Sequence, residues 1–148
     1  METSSESAHL GHWIKVVNHS MIVESNRILE PYDLTLSMWY VLYQIVAAGQ
    51  LAQKKLQINL GIESGSMAIT VDRLVRKGWI QRTKDERDRR ANYLRLTGKG
   101  ASRWKKVPDF VQMLREKMMK NVSNEDEPKA IQVLKMCWNN LNAAHVNE

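Results

Sequence analysis

Residues 78–100 hold two short alternating segments, 79–83 and 92–96, on either side of a charged, glycine-free tip at 84–90. An amphipathic helical pattern ends just before them, at Gly78. Period-two alternation on both sides of a short polar tip specifies a β-hairpin. A helix feeding a basic hairpin is what a DNA-binding winged helix requires. The helix can enter a major groove while the tip reaches the backbone and the neighbouring minor groove.

The positive charge is concentrated in the same region. Residues 76–106 hold twelve Lys/Arg and three Asp/Glu, a sum of +9 against +6 for the whole chain, so the remainder sums to −3. Cations packed this closely repel one another. A polyanion partner is therefore a better account than a merely solvated face, since phosphate neutralisation supplies most non-specific affinity for DNA. The cluster of Arg87, Arg89 and Arg90 at the tip is the densest part of it.

The rest of the chain is patterned as helices. Leu10, Ile14, Val17, Met21 and Ile28 predict a long helix over about 9–30, closed before Pro31. Thr35 is a suitable N-cap for a second helix, Leu36–Ala48, apolar almost all round and so expected to be buried. A short helix at about 51–60 precedes Gly61, and the next, about 64–77, stops at Gly78. Thr97 is expected to cap a long helix to about Lys120, kinked at Pro108. A last helix, about 124–145, carries Ile131, Leu134, Trp138 and Leu141 at heptad spacing, with Pro128 in its first turn.

The expected architecture is thus mainly α with a small β-wing: a winged helix-turn-helix lobe at 34–100, flanked by N- and C-terminal dimerisation helices at 9–30 and 101–147. The whole is one domain spanning the 148 residues. The terminal apolar stripes call for cover, which a symmetric homodimer would give. The two stripes packing on each other within one chain is the other possibility.

On the helix at 64–77, Met67, Val71, Leu74 and Val75 form the inward stripe. Ser64 and Gly65 open it, and Ser66, Ile69, Thr70, Arg73 and Lys77 form the opposite face. Ser66 and Thr70 suit base edges or phosphates, and the helix N-terminus offers free N–H groups to an anion. Ile69 either meets a thymine methyl or packs against a neighbouring loop.

These features together resemble the MarR family of transcriptional regulators, over about Leu34 to Gly100. The resemblance is carried by Leu34-Thr35-Leu36-Ser37-Met38-Trp39, Leu60-Gly61-Ile62, Asp72-Arg73-Leu74-Val75-Arg76-Lys77-Gly78-Trp79-Ile80, Asp88-Arg89-Arg90 and Leu96-Thr97-Gly98-Lys99-Gly100. It implies a dimeric regulator, a repressor more readily than an activator, bound to a pseudo-palindromic operator of double-stranded DNA. Arg90 would enter the minor groove, Asp88 would set the shape of the wing, and Glu63 would pair with Arg90 when DNA is absent. Where this chain has Ile69 the family usually has a polar or basic residue. The resemblance also implies release of DNA by a small aromatic or phenolic effector in a crevice between the dimer helices and the DNA-binding lobe. The lining it suggests is His12, Trp13, Trp39, Tyr40, Tyr43 and Trp104, each of which also reads as core packing, Trp39 above all.

Other chemistry has no carrier in the sequence. No phosphate loop or nucleophile–histidine pair suggests an enzyme, and no cofactor is expected. His9, His12 and His19 have a spacing that could chelate, but a solvated helix end is the stronger reading, so no metal is expected. The lone Cys137, between apolar neighbours, reads as packing rather than as a redox sensor, and suits a reducing compartment. The polar N-terminus and the lack of a long apolar run place the chain in the cytoplasm, with no membrane span. The alternative to a DNA reader is a winged helix that docks a protein partner, which would not need the basic wing.

Overall fold

A computed structural model describes residues 9–61, 63–84 and 92–143. Helix α1 spans Leu10–Leu29 and runs into a 3-10 turn, Glu30–Tyr32, that contains Pro31. Helix α2 (Leu36–Ala48) follows, then strand β1 (Gln50–Ala52), helix α3 (Gln53–Leu60) and helix α4 (Ser64–Arg76). Strands β2 (Ile80–Lys84) and β3 (Asn92–Leu96) form the hairpin. Helices α5 (Gly98–Trp104), α6 (Phe110–Met118) and α7 (Asp126–Ala143) complete the chain. None of the described helices is long and apolar enough to cross a membrane.

Contacts divide the chain into two units, one up to Phe110 and one from Val111 onward. The first holds the core. Leu29 and Leu34, Met38, Val41, Leu42 and Ile45 of α2, Leu56 of α3, and Met67, Val71 and Leu74 of α4 are buried together with Trp79, Ile80, Leu94 and Phe110. Of the inward stripe expected of α4, Met67, Val71 and Leu74 are buried and Val75 is half-buried at the margin of the core. In the second unit α7 buries no residue, and Cys137 on it is only half-buried.

Caps explain where the elements begin and end. The Thr35 hydroxyl accepts from the Met38 amide, and the Asn26 side-chain oxygen accepts from the Leu36 amide at 2.8 Å, so two free N–H groups of α2 are satisfied. Helix α4 closes in a Schellman turn. The Gly78 amide donates to the Val75 carbonyl and the Trp79 amide to that of Leu74, each at 2.9 Å, with Gly78 left-handed at φ +70°. A Cβ on Gly78 would meet nothing within 4 Å, so only its backbone conformation demands glycine. Gly78→Ala is expected to cost about 1–2 kcal/mol, seen as a lower urea midpoint. An unchanged midpoint would show that the turn carries no such demand.

Three sequence expectations need correction. The sheet has three strands, not two, in the order β1-β3-β2, all antiparallel. Leu51 lies opposite Leu94, and residues 51–52, expected in a helix, belong to this strand. Thr97 does cap a helix, its hydroxyl accepting from the Gly100 amide at 2.8 Å, but that helix ends at Trp104 instead of kinking at Pro108. Pro108 has no N–H to continue the ladder. The Lys106 and Val107 amides instead close tight turns onto Arg103 and Trp104, and α6 starts afresh with Phe110 buried edge-on against Trp39. Finally, α2 is not buried all round: Tyr40, Tyr43 and Val46 are exposed.

Candidate nucleic-acid interface

Helices α3 and α4 form the helix-turn-helix. Gly61 leaves α3 left-handed, at φ +59°. Glu63 stands at the N-cap of α4 with extended ψ and makes no side-chain cap. Ser64, Gly65 and Ser66 are all exposed, and the first-turn N–H groups have no intrahelical acceptors.

At about 100° per residue, the direction opposite the buried stripe of α4 runs through Gly65, Ile69 and Arg76, with Arg73 on one side of it and Asp72 about equally far on the other. Ile69 is 55% exposed. Among the described residues no hydrogen bond or ion pair engages the guanidinium group of Arg73 or Arg76. Arg76 belongs to this face but was absent from the sequence-based set. It becomes visible once the outward direction is measured from Met67, Val71 and Leu74 rather than from the small polar residues.

The other members of the set lie on the flanks. The Thr70 hydroxyl donates to the Ser66 carbonyl at 3.0 Å. Lys77 is paired with Asp33, a left-handed residue of the turn before α2. Asp33 also lies 3.9 Å from Arg103, whose guanidinium stacks 3.9 Å above the Trp79 ring and donates to the Lys77 carbonyl. On the opposite flank Asp72 holds Arg82 of β2. The end of α4, the start of the wing and the turn before α2 are thus joined through charged side chains.

The wing strands carry Arg82, Lys84 and Arg95 at exposed positions, with Lys84 opposite Asn92 as the outermost described pair. Arg87, Asp88, Arg89 and Arg90 lie outside the described residues, as does the expected Glu63–Arg90 pairing.

A cleft of about 700 Å³ lies between α1, the start of α2 and α4, lined among others by Asn26, Arg27, Met38, Arg73 and Lys77. An adjoining cleft of about 660 Å³ shares Asn26, Thr35, Met38 and Arg73 and adds Tyr40 and Thr70. Glu24 binds Arg27 through both carboxylate oxygens and keeps its guanidinium more firmly protonated. Of the aromatic residues suggested as ligand lining, only Tyr40 borders these clefts. Tyr43 stacks on Trp39 at 4.9 Å, and Trp104 lies tilted against the same ring at 6.1 Å, so these two belong to the aromatic layer around Trp39. His12 and Trp13 sit edge to face in the first turn of α1, exposed. The mixed charged lining from Arg27, Glu30, Asp33, Arg73 and Lys77 was not legible in the sequence, because it comes from separate elements. Among the described residues no group of three His, Cys, Asp or Glu is placed to hold a metal ion.

The MarR family model matches residues 34–91. The multiple antibiotic resistance protein MarR of Escherichia coli is 30% identical over 123 residues, which cover 82% of this chain and 85% of that protein. The chain belongs to the MarR family. Its members are transcriptional regulators and not enzymes. A cysteine-to-serine mutant of E. coli MarR, crystallised in complex with operator DNA, superposes with a TM-score of 0.79 at 28% identity, covering 93% of this chain and 99% of that one. The PcaV transcriptional regulator of Streptomyces coelicolor, solved in complex with its natural ligand, shares the fold at a TM-score of 0.74 and 18% identity, covering 94% of this chain and 98% of its own. Within this MarR-family chain, α4 and the β2–β3 wing form the winged helix that the sequence pattern called for.

Proposed function

We propose that this MarR-family regulator binds a pseudo-palindromic operator as a homodimer, acts as a repressor in the cytoplasm, and is released by a small aromatic or phenolic ligand. The observation that carries the reading is the outward face of α4. Ile69, Arg73 and Arg76 project from it beside wing strands bearing Arg82, Lys84 and Arg95. Ser64, Ser66 and Thr70 stand at its N-terminal end and flank, and Lys77 at its C-terminus. Arg87, Arg89 and Arg90 extend the positive charge at the tip, with Asp88 setting its shape and Arg90 entering the minor groove.

E. coli MarR, the similar protein crystallised with operator DNA, supports the DNA reading. The exposed apolar residues of α1 and of α7 support the dimer, since each needs cover that a second copy supplies. Two features support release by a ligand: the clefts behind α4, and the PcaV complex in a chain of the same fold. Arg73 belongs to both α4 and the cleft, so a ligand bound there competes directly with phosphate for the same side chain. Tyr40 offers such a ligand an aromatic edge, while the exposed His12, Trp13 and Tyr43 and the half-buried Trp104 remain candidates for a crevice that a second copy would complete.

The test is selection of genomic fragments by the purified protein at two salt concentrations. An inverted repeat with half-sites about one helical turn apart is expected. Its affinity should fall with salt by a log–log slope of about 0.9 per neutralised phosphate. Salt-sensitive retention without an enriched sequence would reduce the protein to a non-specific DNA coater. No retention at low salt would favour a protein-docking winged helix.

A further inference from the structure

We propose that Ile69 is a specificity-determining residue that reads the 5-methyl group of one thymine in each operator half-site. The inference rests on the operator-binding reading above and adds to it which chemical group the centre of the recognition helix recognises.

The two explanations of an outward isoleucine open from sequence were a packed neighbouring loop and a thymine methyl. The structure removes the first, because Ile69 stays 55% exposed and takes no part in the core or its partly buried margin. A helical side chain covers the turn N-terminal to its own Cα, and four residues back stands Gly65, which has no side chain. Ile69 therefore projects over bare backbone, where the helix can approach a groove floor closely.

The exposed Ser66 hydroxyl lies on the flank of the helix, away from the outward direction that Ile69 follows. The Thr70 hydroxyl proton is engaged by the Ser66 carbonyl. Asp72 is held by Arg82 of the wing, and a carboxylate facing the groove would repel phosphate in any case. The guanidinium groups of Arg73 and Arg76 come one and two turns later. The middle of the face is thus an apolar island between exposed N–H groups and cations. In the major groove the one methyl group offered by a base pair is that of thymine. An apolar island at that place fits an A·T pair and leaves the polar edges of a G·C pair unanswered.

The experiment uses the full chain and the operator recovered by selection. Each half-site thymine is replaced in turn by deoxyuridine, which lacks only the methyl, and binding is measured for the wild-type protein and for Ile69→Ala. One thymine per half-site is expected to weaken wild-type binding about three- to fivefold when demethylated, the worth of burying one methyl group. Substitution in both half-sites should give roughly ten- to twentyfold. Ile69→Ala should bind the two operators equally, and selection repeated with it should lose the thymine preference at that position alone. Ile69 is outside the core, so the variant keeps the fold. If wild-type protein binds its operator but ignores every methyl, or if both proteins lose the same factor, the inference is overturned while the operator reading stands. If wild-type protein enriches no sequence, the operator reading falls and this inference with it.

Discussion

Gly100→Ala should destabilise the protein by at least about 3 kcal/mol, a large share of the stability of an ordinary domain. A Cβ at this position would lie 1.9 Å from the Trp79 carbonyl oxygen and 2.8 Å from its carbonyl carbon. Neither atom can move alone. The same Trp79 carbonyl accepts from the Thr97 amide at 3.1 Å, and the Thr97 hydroxyl donates to the Gly78 carbonyl at 2.7 Å while capping α5. Room for one methyl group must therefore be made by displacing the turn that ends the recognition helix and begins the wing. A drop in melting temperature of some 6–12 °C or more is expected. The penalty should also appear in operator affinity, because α4 and β2 are held to one another through that turn. Ser102→Ala, on the exposed side of the same helix, serves as the control. A Gly100→Ala protein with unchanged melting temperature would show that the contact relaxes freely.

The second large effect is expected of Leu134→Asp combined with Leu141→Asp. Ile131, Leu134, Trp138 and Leu141 recur along α7 at alternating spacings of three and four, and all are exposed in a single chain, Trp138 by 66% and Leu141 by 75%. None of the 18 residues of α7 is buried, and a helix in a protein owes most of its stability to the packing of an apolar face. Two carboxylates in the stripe would have to be buried unpaired if a second copy covered it. The variant should sediment as a monomer. Two half-site readers would then bind independently, so operator affinity should drop by about 10²- to 10⁴-fold. A variant that remains dimeric, or a monomer that binds the operator as tightly as wild type, would sink the dimer proposal.

What could be read from sequence was what is decided within a few residues of chain. Thr35 and Thr97 cap helices because a hydroxyl three residues before an amide suffices. Gly78 stops α4, and the stripe Met67, Val71, Leu74 follows from spacing alone. Strand β1 escaped because Gln50–Ala52 is too short to show alternation; it is a strand only by virtue of pairing with residues 93–95. Pro108 was recognised as a disturbance but not as an end, since a kink and a break differ in whether neighbouring packing can replace the missing bond. Here the burial of Phe110 favours the break. At the site, the central members of the outward face were found and Arg76 was missed. The engagement of Lys77 by Asp33 joins residues far apart in the chain, and no local pattern announces it.

Strand β3 is paired along both edges, and Leu94 at its centre is fully buried between Leu51 and Arg82. Side chains alternate strictly, so a single inserted residue in this strand would turn Leu94 out and Tyr93 or Arg95 in, on both ladders at once. Strands β1 and β2 each answer to one neighbour, whereas β3 answers to two. A change of length within Gln50–Ala52 or Ile80–Lys84 disturbs a single ladder, and one within Asn92–Leu96 disturbs both. Heritable change of length in this sheet is thus most tightly closed at its middle strand.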